Sequence, residues 1–208
     1  MWKATLAVLV VVSLPARARA AAPDCFYFVL GIYDEPEQVH NFGTMVENQE
    51  KWVYLGIKYR SGQAGLTTIE FSISGLEELF VLEFEPVTPA ALVFGSVQAP
   101  PDTTSSFGVG GMDVSWPICL EGDRALIRLT LWSLGPVQAD KILEVKRRYP
   151  PTNFNFSTPL FVNCDAPVYP MVRVGGGCYI LNPSTNPVPA CQLPVAAHSW
   201  SQVKALFR

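Results

Sequence analysis

Histidine is scarce in this chain: its 208 residues include two, His40 and His198. A nucleophilic cysteine needs a histidine base within reach, so this scarcity leaves little room for thiol catalysis. Structural zinc fails on spacing. Its ligands come in pairs about two to four residues apart, because a tight turn must aim both at one ion, whereas Cys164, Cys178 and Cys191 follow one another at 14 and 13 positions. Charge is thin as well, with 16% charged residues, 15 basic against 18 acidic, and no basic run. Such a chain is a poor partner for nucleic acid or an anionic membrane. No G-x-S-x-G, H-E-x-x-H, P-loop or D-x-[DN]-x-[DN]-G calcium loop occurs, which removes the signatures of several hydrolase, metalloprotease, nucleotide and calcium sites. No cofactor or metal is implied, and there is no internal repeat or low-complexity segment.

What is present begins with a leader. Lys3 precedes the apolar run Leu6 to Val12, Pro15 breaks it, and Ala18-Arg19-Ala20-Ala21-Ala22 closes it, the layout of a secretory signal peptide over 1–22 with cleavage between Ala20 and Ala22. The run is far shorter than the roughly 20 residues that span a bilayer, so no membrane span is expected after cleavage. Asp24 before Cys25 does not suit a bacterial lipidation site. Removal of 1–22 takes away Lys3, Arg17 and Arg19 and leaves 186 residues with a formal charge of −6, enough for one sizeable domain. The expected location is the periplasm, the cell surface or the exterior.

Alternation of apolar and polar residues gives the architecture. Ile69, Phe71 and Ile73 share one face of a strand, as do Val53, Leu55, Ile57 and Tyr59, and Ala125, Ile127, Leu129 and Leu131. Met112, Val114 and Trp116 alternate until Pro117, which is expected to stop the run. Continuous apolar runs at 26–33, 79–84 and 91–97 fit strands buried on both faces or at strand crossings. Shorter candidates lie at 142–146, 160–163, 169–174 and 179–181. Some ten short strands between proline- and glycine-rich turns predict an all-β fold, an antiparallel β-sandwich or jelly roll. Only the end of the chain reads as helix: Ser199-Trp200-Ser201-Gln202 has capping-box spacing, and Trp200, Val203 and Phe207 line one side of a two-turn helix over 199–207. That stripe either docks on the sandwich or faces a partner.

The stretch from Gly65 to Ile73, then Leu79 to Glu85, and later Ala125 to Leu134 resembles the strand pattern of cohesin-like modules, the jelly-roll sandwiches of secreted scaffolding proteins. The resemblance spans about Lys51 to Leu134 and implies a sandwich over 23–150. The layout as a whole is similar to secreted proteins of environmental bacteria. In those, a cohesin-like sandwich leads into a cysteine-bearing segment like Gly176 to Pro183, and the chain closes like Ser199 to Arg208. A cysteine-rich C-terminal segment over 151–208, packed on the sandwich, is the part that true cohesins lack.

In an oxidising compartment the cysteines are expected to be disulfides. Cys178 and Cys191 bracket the proline-rich loop 182–190, and Cys119 and Cys164 each follow a strand end, so a bridge between the latter two would tie the C-terminal segment to the sandwich. Cys25 is the odd one, a free thiol, an intermolecular link or the partner of one of the others.

Two places could bind a ligand. On the strand 51–60 the face opposite Val53 and Leu55 carries Trp52, Tyr54 and Lys58, and on 124–134 the corresponding face carries Arg128 and Trp132. Flat aromatics beside a cation suit the apolar faces of sugar rings, and the alternative is that they are covered by other parts of the fold. The loop 100–111 either contacts a ligand or is a solvated connection. Carboxylates such as Glu70, Glu77, Glu78, Asp113, Glu121 and Asp123 are available for glycoside hydrolysis, but no spacing singles out a pair. Asn155-Phe156-Ser157 matches the glycosylation acceptor, relevant only to a eukaryotic source. The expectation is therefore a secreted, noncatalytic module recognising a polysaccharide or surface protein. The alternatives are a self-associating subunit of an extracellular layer and a glycan-active hydrolase.

Overall fold

The computed structural model describes residues 28–59, 65–97, 110–152, 154–155, 158–164, 171–173 and 175–185. All regular structure among them is β. The first strands are β1 (Phe28–Tyr33), β2 (Phe42–Gly43), β3 (Lys51–Tyr59) and β4 (Gly65–Ser74). Next come β5 (Phe80–Pro86), β6 (Leu92–Ser96), β7 (Gly111–Glu121), β8 (Arg124–Trp132) and β9 (Lys141–Lys146). The chain then adds β10 (Leu160–Asn163), β11 (Met171–Arg173), β12 (Gly175–Gly176) and β13 (Cys178–Leu181). One sheet has the order β12-β1-β3-β8-β5. The other runs β11-β10-β4-β9-β13-β2, with β7 on β4 and β6 on β7.

The period-2 alternation explains the sandwich. Val53, Leu55 and Ile57 of β3 with Leu129 and Leu131 of β8 face Ile69, Phe71 and Ile73 of β4, and all belong to one core. Each such side chain contributes about 1.5–3 kcal/mol on burial. Pairing is antiparallel except for β1 with β12 and β2 with β13, two short parallel ladders that make the sheets mixed. Strands β10 to β13 are thus members of the two sheets, and Tyr179 of β13 is wholly buried in the core.

Three expectations are corrected. Pro117 does not end its strand. Between Ser115 and Leu120 the register of β7 on β4 slips, with Thr68 opposite Ser115 and Leu66 opposite Leu120, so the proline stands in a bulge where no ladder donor is required. The apolar runs 79–84 and 91–97 are not buried on both faces. β5 ends one sheet and, among the described residues, β6 pairs with β7 alone; Leu82, Leu92, Val93 and Phe94 are all exposed, and since successive residues of a strand alternate in direction, both faces of β6 stand in solvent. Periodicity reports a strand's faces but not its place in the sheet. Of the run at 26–33, the part from Val29 to Tyr33 does behave as read, with Leu30 and Ile32 on one face and Val29 and Tyr33 on the other all buried. The leader, Cys25, most of the loop 100–111, Cys191 and the segment 199–207 lie outside the described residues.

Candidate functional site

The outer face of the five-stranded sheet is set by the register of four strands. Tyr33 stands opposite Tyr54, Tyr54 opposite Arg128 and Trp52 opposite Thr130. Phe80 stands opposite Trp132, and Glu85 opposite Arg128. Side chains at these paired positions point the same way, so Trp52, Tyr54, Arg128 and Trp132, four of the five residues singled out in the sequence, share one face. The fifth, Lys58, lies further along β3 on the same side. Its ammonium is engaged there, 2.6 Å from the Gln38 carbonyl oxygen and 5.0 Å from the centroid of the Tyr33 ring.

The segment after β1 covers that half of the face. Gln38 is only 2% exposed, and its amide lies against Gly56, where an added Cβ would collide with it. Neither side-chain amide atom of Gln38 has a hydrogen-bond partner among the described residues. Under this cover Tyr33 is buried, which pushes its phenol up to about 12, with the Asp123 carboxylate adding to the shift.

The other half is open. Trp52 is 52% exposed. The guanidinium carbon of Arg128 lies 5.0 Å from its ring centroid, and Arg128 is held in turn by Glu83 at 3.1 Å and by Glu85. Thr130 donates to the same Glu83 oxygen at 3.2 Å. Trp132 meets Phe80 with ring centroids 5.7 Å apart. Aromatic rings therefore recur across β3, β8 and β5. Beside Trp52 and Tyr54 an open depression of about 530 Å³ is walled by Asp34, Glu35, Glu50 and Lys51. Asp34 pairs with Lys51 and accepts the Tyr179 hydroxyl at 2.5 Å. Burial and that carboxylate push the Tyr179 phenol upward. Glu35 accepts from the His40 backbone amide and contacts its ring nitrogen, each at 2.8 Å. Asp34, Glu35, Glu50 and Phe80 were not foreseen in the sequence: three belong to connections, and Phe80 belongs to a run read as buried.

A second polar cluster lies on the opposite sheet. Glu70 of β4 stands opposite Asp113 of β7, is almost wholly buried, and accepts the Thr152 amide at 3.1 and 3.2 Å. Arg148 bridges the two carboxylates, 3.0 Å from Asp113 and 3.9 Å from Glu70. Burial holds Asp113 above the usual carboxylate range; the Arg148 charge opposes this and Glu70 reinforces it. The other carboxylates considered above are scattered: Glu78 meets Lys141, and Asp123 accepts the Tyr59 amide at 2.7 Å. No group of three or more His, Cys, Asp or Glu side chains suited to a metal occurs among the described residues.

Cys119 and Cys164 form a disulfide, tying the end of β7 to the end of β10. Gly65 is required beside it, since a Cβ there would strike Cys119 Sγ. Cys178 is also disulfide-bonded.

No protein-family model and no curated protein matches the chain. Among solved structures it is similar to a cohesin module from the Clostridium perfringens family 33 glycoside hydrolase, at 12% identity and TM-score 0.46 over 74% of this chain and 98% of that one. The sixth cohesin of Acetivibrio cellulolyticus scaffoldin B, solved with a Cel5 dockerin, gives 13% identity and TM-score 0.46 over 74% and 97%. A type III cohesin of the ScaE cell-surface anchoring scaffoldin of Ruminococcus flavefaciens gives 10% and 0.44 over 77% and 89%. These likenesses concern the course of the chain and assign no residue a role.

Proposed function

We propose that this protein is a secreted, noncatalytic module that binds a glycan on the outer face of its five-stranded sheet. The observation that carries this is Trp52: an indole half in solvent on a rigid strand, with Tyr54 beside it and carboxylate acceptors around the adjoining depression. Rings stack on the C–H faces of sugars, and carboxylates accept their hydroxyls. Secretion is supported by the leader pattern of residues 1–22 and by the Cys119–Cys164 disulfide, a bond of oxidising compartments. No helix among the described residues is long and apolar enough to cross a membrane. The Glu70–Asp113 pair is held by Arg148 and the Thr152 amide, which supports a structural role for it. The test is retention of the oxidised protein on insoluble polysaccharides, beside a Trp52→Ala/Tyr54→Ala variant. Loss of retention in the variant is expected. Retention only by isolated envelope proteins would make the ligand a protein.

A second reading, self-association, is favoured by the β6 edge, where Leu92, Val93 and Phe94 stand in solvent without a charge among residues 92–96. Such edges are templates for another strand. Sedimentation across a hundredfold concentration range tests it: a constant monomer mass removes this reading, and a dimer abolished by Val93→Lys supports it.

A further inference from the structure

The charge of the glycan follows from the depression beside Trp52. Three carboxylates, Asp34, Glu35 and Glu50, and one ammonium, Lys51, wall it. Lys51 is spent on Asp34, Glu35 is turned to His40, and Glu50 is exposed and has no ion pair among the described residues. On the far side of the indole Arg128 is shared by Glu83 and Glu85. Among the described residues the open half of the face thus carries five carboxylates against two cations, both already paired. It repels a uronic acid and attracts a protonated amine. Trp52 and Tyr54 strengthen that preference, since an ammonium over an indole or phenol face is favourable and Arg128 occupies only part of the Trp52 surroundings.

Resting on the glycan-binding reading, we propose that the ligand is a linear glycan bearing free amino groups, an amino-sugar polymer in its deacetylated form. The linear form follows from the aromatic row: Tyr54 and Trp52 on β3, Trp132 on β8 and Phe80 on β5 lie on successive strands about 4.8 Å apart. A chain laid diagonally over the strands, from Tyr54 and Trp52 to the Trp132–Phe80 pair two residues further along β8, meets these rings, with its ammonium groups beside Glu50 on the β3 side and Glu83 and Glu85 on the β5 side. A single sugar would use only part of this row.

The test is titration of the full oxidised protein, by calorimetry and backbone amide shifts, with β-1,4-linked glucosamine oligomers. The same oligomers N-acetylated, glucose oligomers, uronate oligomers and oligolysine serve as comparisons. The glucosamine oligomer is expected to bind about tenfold more tightly than its N-acetylated form, with shifts centred on residues 50–54 and 128–132 and affinity falling as salt rises. Glu50→Gln, a substitution at an exposed position, is expected to weaken glucosamine binding by about two- to fivefold at an unchanged melting temperature. Equal affinity for charged and N-acetylated chains would overturn the amine preference and leave glycan binding standing. Binding of oligolysine alone, or of no oligomer, would overturn both.

Discussion

The guanidinium of Arg128 lies over the indole of Trp52, 5.0 Å from the ring centroid, and two carboxylates of the neighbouring strand, Glu83 and Glu85, hold it there. The four side chains come from three strands, so the position of the indole is fixed by sheet register and not by a loop. A pre-positioned ring loses little freedom on binding, which is what lets a flat sheet surface act as a platform.

Trp52→Ala is expected to lower affinity for a bound oligosaccharide by about 30-fold, the effect of losing a central aromatic anchor of about 2 kcal/mol. Because the side chain is half exposed, its removal should cost about 0.5 kcal/mol of stability or less, shifting Tm by no more than about 2 °C. Calorimetry with a melting curve separates the two effects. A large fall in Tm would make Trp52 a packing residue.

Much of this platform was legible in the sequence because β3 and β8 alternate cleanly, and alternation alone puts Trp52, Tyr54, Arg128 and Trp132 on the non-core side. Pairing brought them together, and pairing is not written in a strand's own period. The depression was not legible, because Asp34, Glu35 and Glu50 stand outside the strands and reach Trp52 only through the course of the chain. The two-residue strands Phe42–Gly43 and Gly175–Gly176 are too short to carry any period, so the mixed character of the sheets was hidden. Exposure of Phe94 and Leu82 was hidden for another reason, since an apolar run reads alike at the centre and at the edge of a sheet. The Cys119–Cys164 bridge was one pairing the sequence offered; Cys164 does follow its strand, but β7 runs on through Cys119 to Glu121, so half of the reason for that pairing was misread.

Removing that bridge with Cys119→Ser/Cys164→Ser should cost about 4 kcal/mol on the chain-entropy account, given a sequence separation of 45. For a domain of this size that is a fall in Tm of about 8–16 °C. Gly65→Ala should lower Tm with both cysteines retained, since its Cβ meets the sulfur of Cys119. A non-reducing peptide map reads the remaining pairing: a Cys178–Cys191 peptide is our expectation, and a Cys25–Cys178 peptide would refute it.

Alkaline pH should weaken the fold. Burial pushes the phenols of Tyr33 and Tyr59 up to about 12, aided by Asp123 and, at Tyr59, opposed by Arg124. The unfolded chain releases these protons near pH 10, so between about 10 and 12 the folded state binds more protons than the unfolded one. Stability from this source is whole below pH 10 and is lost as pH climbs through 12. Urea midpoints at about pH 9 and pH 11.5 should differ, and Tyr33→Phe should narrow the difference. Equal midpoints in the parent protein would contradict the shifts.

Glu70 distinguishes the structural from the catalytic reading of the opposite sheet. It is 3% exposed and satisfies both the Thr152 amide and part of the Arg148 charge. Glu70→Ala would leave the buried Thr152 amide without its acceptor and Arg148 with Asp113 alone, at a cost of about 1–3 kcal/mol. Glu70→Gln keeps the shape and one acceptor, and should cost less. If the pair is structural, Glu70→Gln and Asp113→Asn change the melting temperature and leave oligosaccharide binding on the other sheet untouched. A hydrolytic site would behave in the opposite way, because catalytic carboxylates are held against their own stability: both variants would keep Tm and lose glycan cleavage, measured as released reducing ends. The upward push on the Asp113 carboxyl is common to both readings, since burial and the neighbouring Glu70 produce it against the opposing charge of Arg148.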